Sequence, residues 1–581
     1  MSRPVRIANC SGFYGDRLAA AREVVEGGPI DVLTGDYLAE LTMLILWKAR
    51  RKDPAAGYAK TFLTQLEQVL GTCLDRGIRI VSNAGGLNPP GLAAEITALA
   101  ERLGLHPKIA HVDGDDLVDR LGELPELVHL DTGRKLADAG VEPLTANAYL
   151  GGWGIAAALE AGADVVVTGR VTDASLVAGP AAWWHGWAPT DFDAVAGAMA
   201  AGHVIECGPQ ATGGNYAFFE EVTDRRYPGF PIAEVEADGS SVITKHDGTG
   251  GLVSAGTVTA QLLYEIAEPP YAGPDAVAHF DTVRLDQVGP DRVRISGTRG
   301  SPPGDRLKVA LNHDGGYRNT MTLVLTGTRI EEKAAWAEQQ LFELLGGKEQ
   351  FAEVDVTLLR FDHPDAPVNA EATAHLRVTV KDPDRAKVGR RFSNTTMELA
   401  LGGYPGFHTT TPPSAESGFG VYWPTLVPAA EVQHRVTLPD GTRRVIPHPP
   451  TGPWTTARPA PVEPRVFDGP TRRVQLGEVA GARSGDKGGN ANIGLWTRTD
   501  AEYDWLRHFL DEARFRSLLP EAAALEVRRF ELPNLRAVNF VVVGLLGEGV
   551  AASVRPDPQA KGLGEYLRSR AVDVPETLLL R

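Results

Sequence analysis

The first 170 residues alternate short apolar runs with stretches of helical spacing. "VRIANC" (5–10), "IDVLTGD" (30–36), "IRIVSNAGG" (78–86), "KIAHVDGDD" (108–116) and the β-branched run at 164–168 read as strands. Their apolar residues are continuous rather than alternating, which predicts burial on both faces. Between them, 57–77 and 91–105 carry apolar residues three and four apart, and 152–162 continues the pattern. Gly77 closes the first of these where a helix end favours a left-handed residue. This rhythm predicts an α/β fold, a doubly wound and mostly parallel sheet over residues 1–240.

The pattern then changes. Residues 241–446 hold alternating runs such as "TMTLVLTG", "VTLLRF" and "AHLRVTV", which predict an α+β extension packed on the first domain. The stretch 447–471 is dense in proline and reads as a semi-rigid connector. Residues 472–581 read as a small two-layer α+β domain. Its predicted order is strand 474–480, a charged loop, strand 492–497, helix 502–518, strands 525–531 and 538–545, and helix 559–571.

The predicted strands end in small or charged residues: Asn9 with Ser11, Thr34 with Asp36, Ser82 with Asn83, Asp113 with Asp115, and Thr168 with Arg170 and Asp173. In an open α/β sheet the carboxyl ends share one edge, and ligands bind there. Glycine, asparagine and aspartate also make ordinary βα turns. Arg170 and Asp173 exceed what a turn requires.

Three further stretches carry candidate chemistry. In "GHVIECGPQATGGN" (202–215), His203, Glu206 and Cys207 share one face of a last helical turn. Glu206 is a candidate acid or base and Cys207 a candidate thiol. Thr212, Gly213 and Gly214 offer backbone N–H groups to a carbonyl oxygen or anion. A metal reading of the cluster lacks a second ligand group at metal spacing, so no metal is expected. "KHDGTGG" (245–251) sets Lys245 and His246 before Thr249 and Gly250, with the lysine and glycine turn for anion capture and the histidine for proton transfer. It serves equally as a hairpin turn.

"ARSGDKGGNANIG" (482–494) fails as a P-loop, because Gly488 stands where Ser or Thr is needed and a strand follows. Arg483, Ser484 and Lys487 remain as an anion clamp, with Asp486 as a proton carrier. No dinucleotide fingerprint follows the first strand, so no cofactor is expected.

The 581 residues carry a net charge of −16, against a nucleic-acid or anionic-lipid partner. Three dispersed cysteines and no apolar leader or membrane-length run predict a cytoplasmic protein. Size and apolar inventory point to a homo-oligomer.

The stretches 151–187, 202–215, 245–251 and 482–494, in this order, resemble the acyclic terpene utilization family AtuA. The resemblance spans nearly the whole chain, and its small C-terminal domain carries the "ARSGDKG" signature. It implies catabolism of branched acyl-CoA thioesters and supplies no catalytic residues.

The leading expectation is therefore a lyase, a hydratase or carbon–carbon lyase acting on a branched, carboxylated acyl-CoA. Asp173, Glu206, Cys207, His246 and Asp486 are the candidate catalytic groups. Arg170, Asn83, Gly213, Gly214, Lys245, Thr249, Gly250, Arg483, Ser484 and Lys487 are the candidate binding groups. The alternative is a non-catalytic acyl-CoA-binding or assembly partner of a biotin-dependent carboxylase pathway. A geometric expectation follows from the leading reading: the small domain folds back, or meets a neighbouring subunit, so that Arg483, Asp486 and Lys487 close a cleft lined by Arg170, Asp173, Glu206 and the glycine turns.

Overall fold

The computed structural model describes residues 3–455, 465 and 467–579. It divides into two compact units, Met1–Asn312 with Tyr422–Val550 and Asp557–Arg581, and His313–Val421 with Ala551–Pro556. Of the proline-rich stretch 447–471, residues 456–464 and 466 lie outside the described residues.

Among the described residues, the largest sheet has eleven strands. Its centre is parallel, in the order Val5–Asn9, Val32–Gly35, Arg79–Ser82, Val165–Thr168, Ile109–Asp113. These are the five runs that read as strands. Helices such as Lys60–Arg76 and Pro89–Leu103 return the chain between them. Beyond Val5–Asn9 the sheet continues antiparallel through Pro231–Val235, Ser241–Lys245, Arg292–Ser296 and Arg284–Gly289. Beyond Ile109–Asp113 it takes up Arg435–Thr437 and Arg443–Val445. Short turns join three pairs of these outer strands, 231–235 with 241–245, 284–289 with 292–296 and 435–437 with 443–445, as antiparallel pairing permits. Strands from 284–296 and 435–445 thus belong to the first sheet, although they fall within the stretch 241–446.

The helix Glu40–Lys52 has no counterpart among the predicted elements. Its apolar residues run almost continuously through "LTMLILW", which blurs the helical period. The helix Phe192–Ile205 is apolar on nearly all sides and buries eleven of its residues. It lies between the sheet strand Pro231–Val235 and the short strands Val277–His279 and Arg299–Ser301. Its last turn delivers Glu206.

The C-terminal domain belongs to the first unit. Its four-stranded antiparallel sheet is ordered Ala480–Lys487, Asn490–Thr497, Ala537–Val542, Val527–Leu532. Ile493, Leu506, Phe515, Phe540 and Leu567 form part of its core. The charged loop predicted before 492–497 is itself a strand, paired from Ala480↔Thr497 to Lys487↔Asn490. Gly488, at φ 63, begins the tight turn that joins the two strands. The single helix predicted at 502–518 is two, Asp500–Phe509 and Glu512–Leu518, because the Asp511 side chain caps a new start by accepting from the Arg514 amide. The last predicted helix is shorter, Leu563–Arg568, and a strand Ala571–Pro575 follows it.

The second unit has an antiparallel sheet in the order Glu353–Arg360, Thr373–Asp382, residues 313–326 of the strand Arg306–Thr326, His408–Thr409. Helices Ile330–Leu345 and Arg390–Gly402 supply its core with Leu341, Phe342 and Phe392.

Candidate functional site

The carboxyl ends of the parallel strands carry a buried group of charges. Asp36 follows the second strand, and Asn83 after the third donates to its Oδ1 at 2.6 Å. Asn83 also accepts from the Tyr37 amide at 2.8 Å, which fixes the amide's orientation. Arg170 follows the strand Val165–Thr168. Its amide donates to the buried Asp115 at 2.9 Å, and its Nη1 donates to the Leu38 carbonyl at 2.9 Å. The guanidinium lies 4.4 Å from the Tyr149 ring centre and 3.4 Å from Asp173 Oδ1. Asn9 Nδ2 donates to the carbonyls of Ile205 and Glu206 at 2.6 and 2.9 Å, tying the end of the long helix to the first strand.

Asp36, Asp173 and Glu206 thereby meet in the interior. Asp36 and Asp173 lie close enough for the charge of Asp173 to act on Asp36. Burial, and then the charge of Asp173, holds Asp36 well above the usual carboxylate range. Burial raises Asp173 too, against the pull of Arg170. Glu206 is raised furthest by burial, with Asp173 and Asp36 adding to it. Its place at a helix C-terminus acts in the same direction, since that end of the dipole is negative. His203 Nδ1 lies 3.6 Å from Glu206 Oε1. Burial lowers this imidazole to about 3, so it is neutral between the rings of Tyr271 and Phe280.

The C-terminal hairpin brings a second set of charges to this place. Lys487 Nζ donates to the Glu265 carbonyl at 2.8 Å. Burial and the neighbouring Lys308 lower its amine from the usual range, while Glu265, Glu40 and Glu206 draw it back up. Lys308 stands 4.9 Å from the Tyr149 ring centre and 5.7 Å from that of Tyr422. Burial, reinforced by Glu265, pushes Asp486 up to about 7. Its Oδ1 lies 3.8 Å from Lys561 Nζ. The Arg483 guanidinium covers the Tyr264 ring at 4.1 Å and donates to the side-chain oxygen of Gln210. Gly485 makes the approach possible, because a Cβ there would sit 2.4 Å from the Tyr264 ring. Asn534 and Asn539 secure the same face by donating to the carbonyls of Phe280 and Ala267.

Arg170, Asp173, Glu206, Asn83, Asp486 and Lys487 therefore occupy one connected region, with Asn83 as a positioning residue. Arg483 sits at its edge. Cys207 adjoins it as a thiol, because burial and Glu206 push its pKa well up. Ser484 clamps its own domain, accepting from the Gly564 amide at 2.9 Å and donating to the Lys561 carbonyl at 3.2 Å.

The glycine turns require correction. Gly213 and Gly214 both donate their amides to the Pro209 carbonyl, so neither is free for an oxyanion. Lys245 donates to the Thr249 carbonyl and pairs with Asp291, each at 3.0 Å. Thr249 donates its hydroxyl to the His246 carbonyl at 2.6 Å, and the Gly250 carbonyl accepts from Gly229. His246 Nε2 lies 2.8 Å from the Val24 carbonyl, with the ring against Gly27 and Gly28. The charged groups that face it are Arg6 and Asp247. Residues 245–250 find their partners within the turn and in Val24, Gly229 and Asp291, and the structure does not bring His246 to the carboxyl group.

The structure adds Asp36, Glu40, Tyr149, Glu265, Lys308, Tyr422 and Lys561. Asp36 stood in the strand-end pattern. The others are single polar residues in unrelated segments, and no spacing marked them. Backbone strain marks the same region. Among the described residues seven non-glycines have positive φ, and Asn215 (56°), Glu265 (54°) and Ala560 (55°) border this site.

Chemically the site sets carboxyl groups poised to hold protons beside cations that stabilise anions. Several oxygens have no hydrogen-bond partner among the described residues: Asp173 Oδ1, Glu206 Oε2, Asp486 Oδ1 and the Tyr422 hydroxyl. Buried polar atoms are normally satisfied, so these oxygens are open to water or a ligand. Among the described residues, no group of three or more His, Cys, Asp or Glu has the arrangement of a metal site. No described helix is long and apolar enough to cross a membrane.

Comparison with curated proteins and with solved structures gives no match. Family models match almost end to end: the AtuA ferredoxin-like domain covers residues 474–573, and the acyclic terpene utilisation family protein AtuA covers residues 5–438. The carboxyl group of Asp36, Asp173 and Glu206 lies in the first match and the Arg483–Lys487 hairpin in the second, and the chain belongs to the acyclic terpene utilisation family AtuA.

Proposed function

We propose that the chain is a lyase that moves a proton at a carbon beside the thioester carbonyl of a branched, carboxylated acyl-CoA. The outcome is addition or loss of water, or cleavage of a carbon–carbon bond. One observation carries the reading: Glu206, with an unpartnered oxygen, shares a buried space with Asp36, Asp173 and Arg170. Carboxyl groups raised by burial and mutual repulsion can give and take protons near neutral pH. Glu206 and Asp173 are the proton-transfer groups in this reading. Arg170 holds the substrate's carboxylate, and Lys487 faces the negative charge that develops on the thioester oxygen. Cationic side chains take the role that the spent amides of Gly213 and Gly214 cannot fill. The family's description, acyclic terpene utilisation, supports a branched acyl substrate.

The test incubates the protein with 3-hydroxy and enoyl forms of carboxylated branched acyl-CoA thioesters in deuterated water, followed by mass spectrometry. A mass change or deuterium uptake that disappears in Glu206→Gln is expected. Unchanged, unlabelled thioesters across the set would leave a binding role and sink the catalytic one.

A further inference from the structure

Arg483 is buried, and among the described residues no carboxylate lies within ion-pair distance of it. Its polar neighbours are the Gln210 amide and the face of Tyr264, and its Nε has no hydrogen-bond partner. Placing a guanidinium in the interior without a carboxylate is costly, and the Gln210 hydrogen bond and the Tyr264 ring offset it only in part. The other buried cations of the site each face carboxylates: Arg170 faces Asp173, and Lys487 faces Glu265, Glu40 and Glu206.

Arg483 also lines a cavity of about 260 Å³. Asn215, Tyr216, Phe219, Ser484 and Lys561 line it as well. Lys561 donates to the hydroxyl of the same Tyr264, with its Nζ 4.5 Å from the ring centre, so two cations meet on one tyrosine. The carboxylates nearest this ammonium are Glu265 at 3.7 Å and Asp486 at 3.8 Å. Glu565, also in the wall, is paired with Arg568 at 2.7 Å. The strained residue Asn215 is part of the wall.

The geometry points to a phosphoryl-binding site in this cavity, with Arg483 and Lys561 as its cations. A single carboxylate would leave most of 260 Å³ unfilled, whereas a diphosphate with its flanking groups suits both the room and the charge. Resting on the thioester reading above, the diphosphate of the coenzyme arm binds here, while the acyl end reaches Glu206.

Calorimetric titration of the full chain with coenzyme A, inorganic diphosphate and pantetheine tests this. Coenzyme A and diphosphate should bind and compete, and pantetheine should not displace diphosphate. Arg483→Met should weaken both by about 10- to 100-fold, the loss expected for a charge-assisted hydrogen bond, with Arg483→Lys in between. Lys561→Met gives a second reading if Arg483→Met fails to fold. Equal binding to wild type and to both methionine variants overturns the site, as does no binding of either phosphorylated probe. Arg483-dependent binding of citrate but not of diphosphate overturns the phosphoryl assignment. Coenzyme A binding through Arg483 without turnover of any thioester would sink the lyase reading and leave this site standing. Turnover of acyl-pantetheine and acyl-CoA alike, unaffected by Arg483→Met, would do the reverse.

Discussion

The amine of Lys487 donates a 2.8 Å hydrogen bond to the carbonyl of Glu265, a residue held at φ 54. One partner comes from the ferredoxin-like domain and the other from the end of the helix Ala255–Leu262 region of the large domain. The bond places an amine among Glu40, Glu206 and Lys308. Lys487→Met should therefore lower turnover by at least about 100-fold while the melting temperature stays within a few degrees, since burying the charge contributes little net stability. Steady-state kinetics and a melt on the same sample check this. Unchanged kcat would remove Lys487 from the chemistry.

Glu206→Gln keeps the shape of the protonated carboxyl and abolishes proton exchange. A loss of about 100- to 10,000-fold in kcat is expected, with the far-UV spectrum unchanged. Because burial already favours the neutral form of Glu206, the variant should be at least as stable as the wild type at pH 8.

Asp486, raised to about 7 from an ordinary value of 3.8, gives a signed pH prediction. Below about pH 4 the folded and unfolded states both carry this proton, and it makes no difference to stability. Between about pH 4 and 7 the unfolded state releases it first, so stability falls as pH rises. Asp486→Asn removes that loss. The melting-temperature difference, variant minus wild type, should grow from pH 4 to pH 7 and level off above. His203, lowered to about 3, titrates in both proteins and cancels in the difference.

Gly485→Ala would put a methyl group 2.4 Å from the buried Tyr264 ring. The hairpin would then have to lift, at a cost of about 1–3 kcal/mol. Limited proteolysis should cut the variant faster within the hairpin 480–497. Equal cleavage rates would show that the ring gives way instead.

His246→Gln tests the turn at 245–250. The ring packs on Gly27 and Gly28 and meets no member of the carboxyl group. Turnover within about twofold of wild type is expected, with a measurable loss of stability. A 100-fold loss of kcat would restore His246 as a proton carrier.

The parallel centre of the sheet was legible in the chain, because continuous β-branched runs and helical spacing are local properties of a segment. The strand-end residues Asp36, Asn83, Arg170 and Asp173 were legible for the same reason: chain direction in a βαβ unit sends every strand terminus to one edge. Glu206 and the Arg483–Lys487 stretch stood out by composition.

Tertiary structure alone decided which of these meet. Residues 245–251 and 482–494 look alike as glycine-rich turns with a lysine, yet Lys245 pairs with Asp291 and Lys487 reaches Glu265. The difference lies in where amides and carbonyls find partners, which no spacing encodes. Lys308, Glu265 and Lys561 gain their place through pairings hundreds of residues apart. The proton affinities of Asp36, Glu206 and Asp486 depend on burial, which exists only in the folded chain.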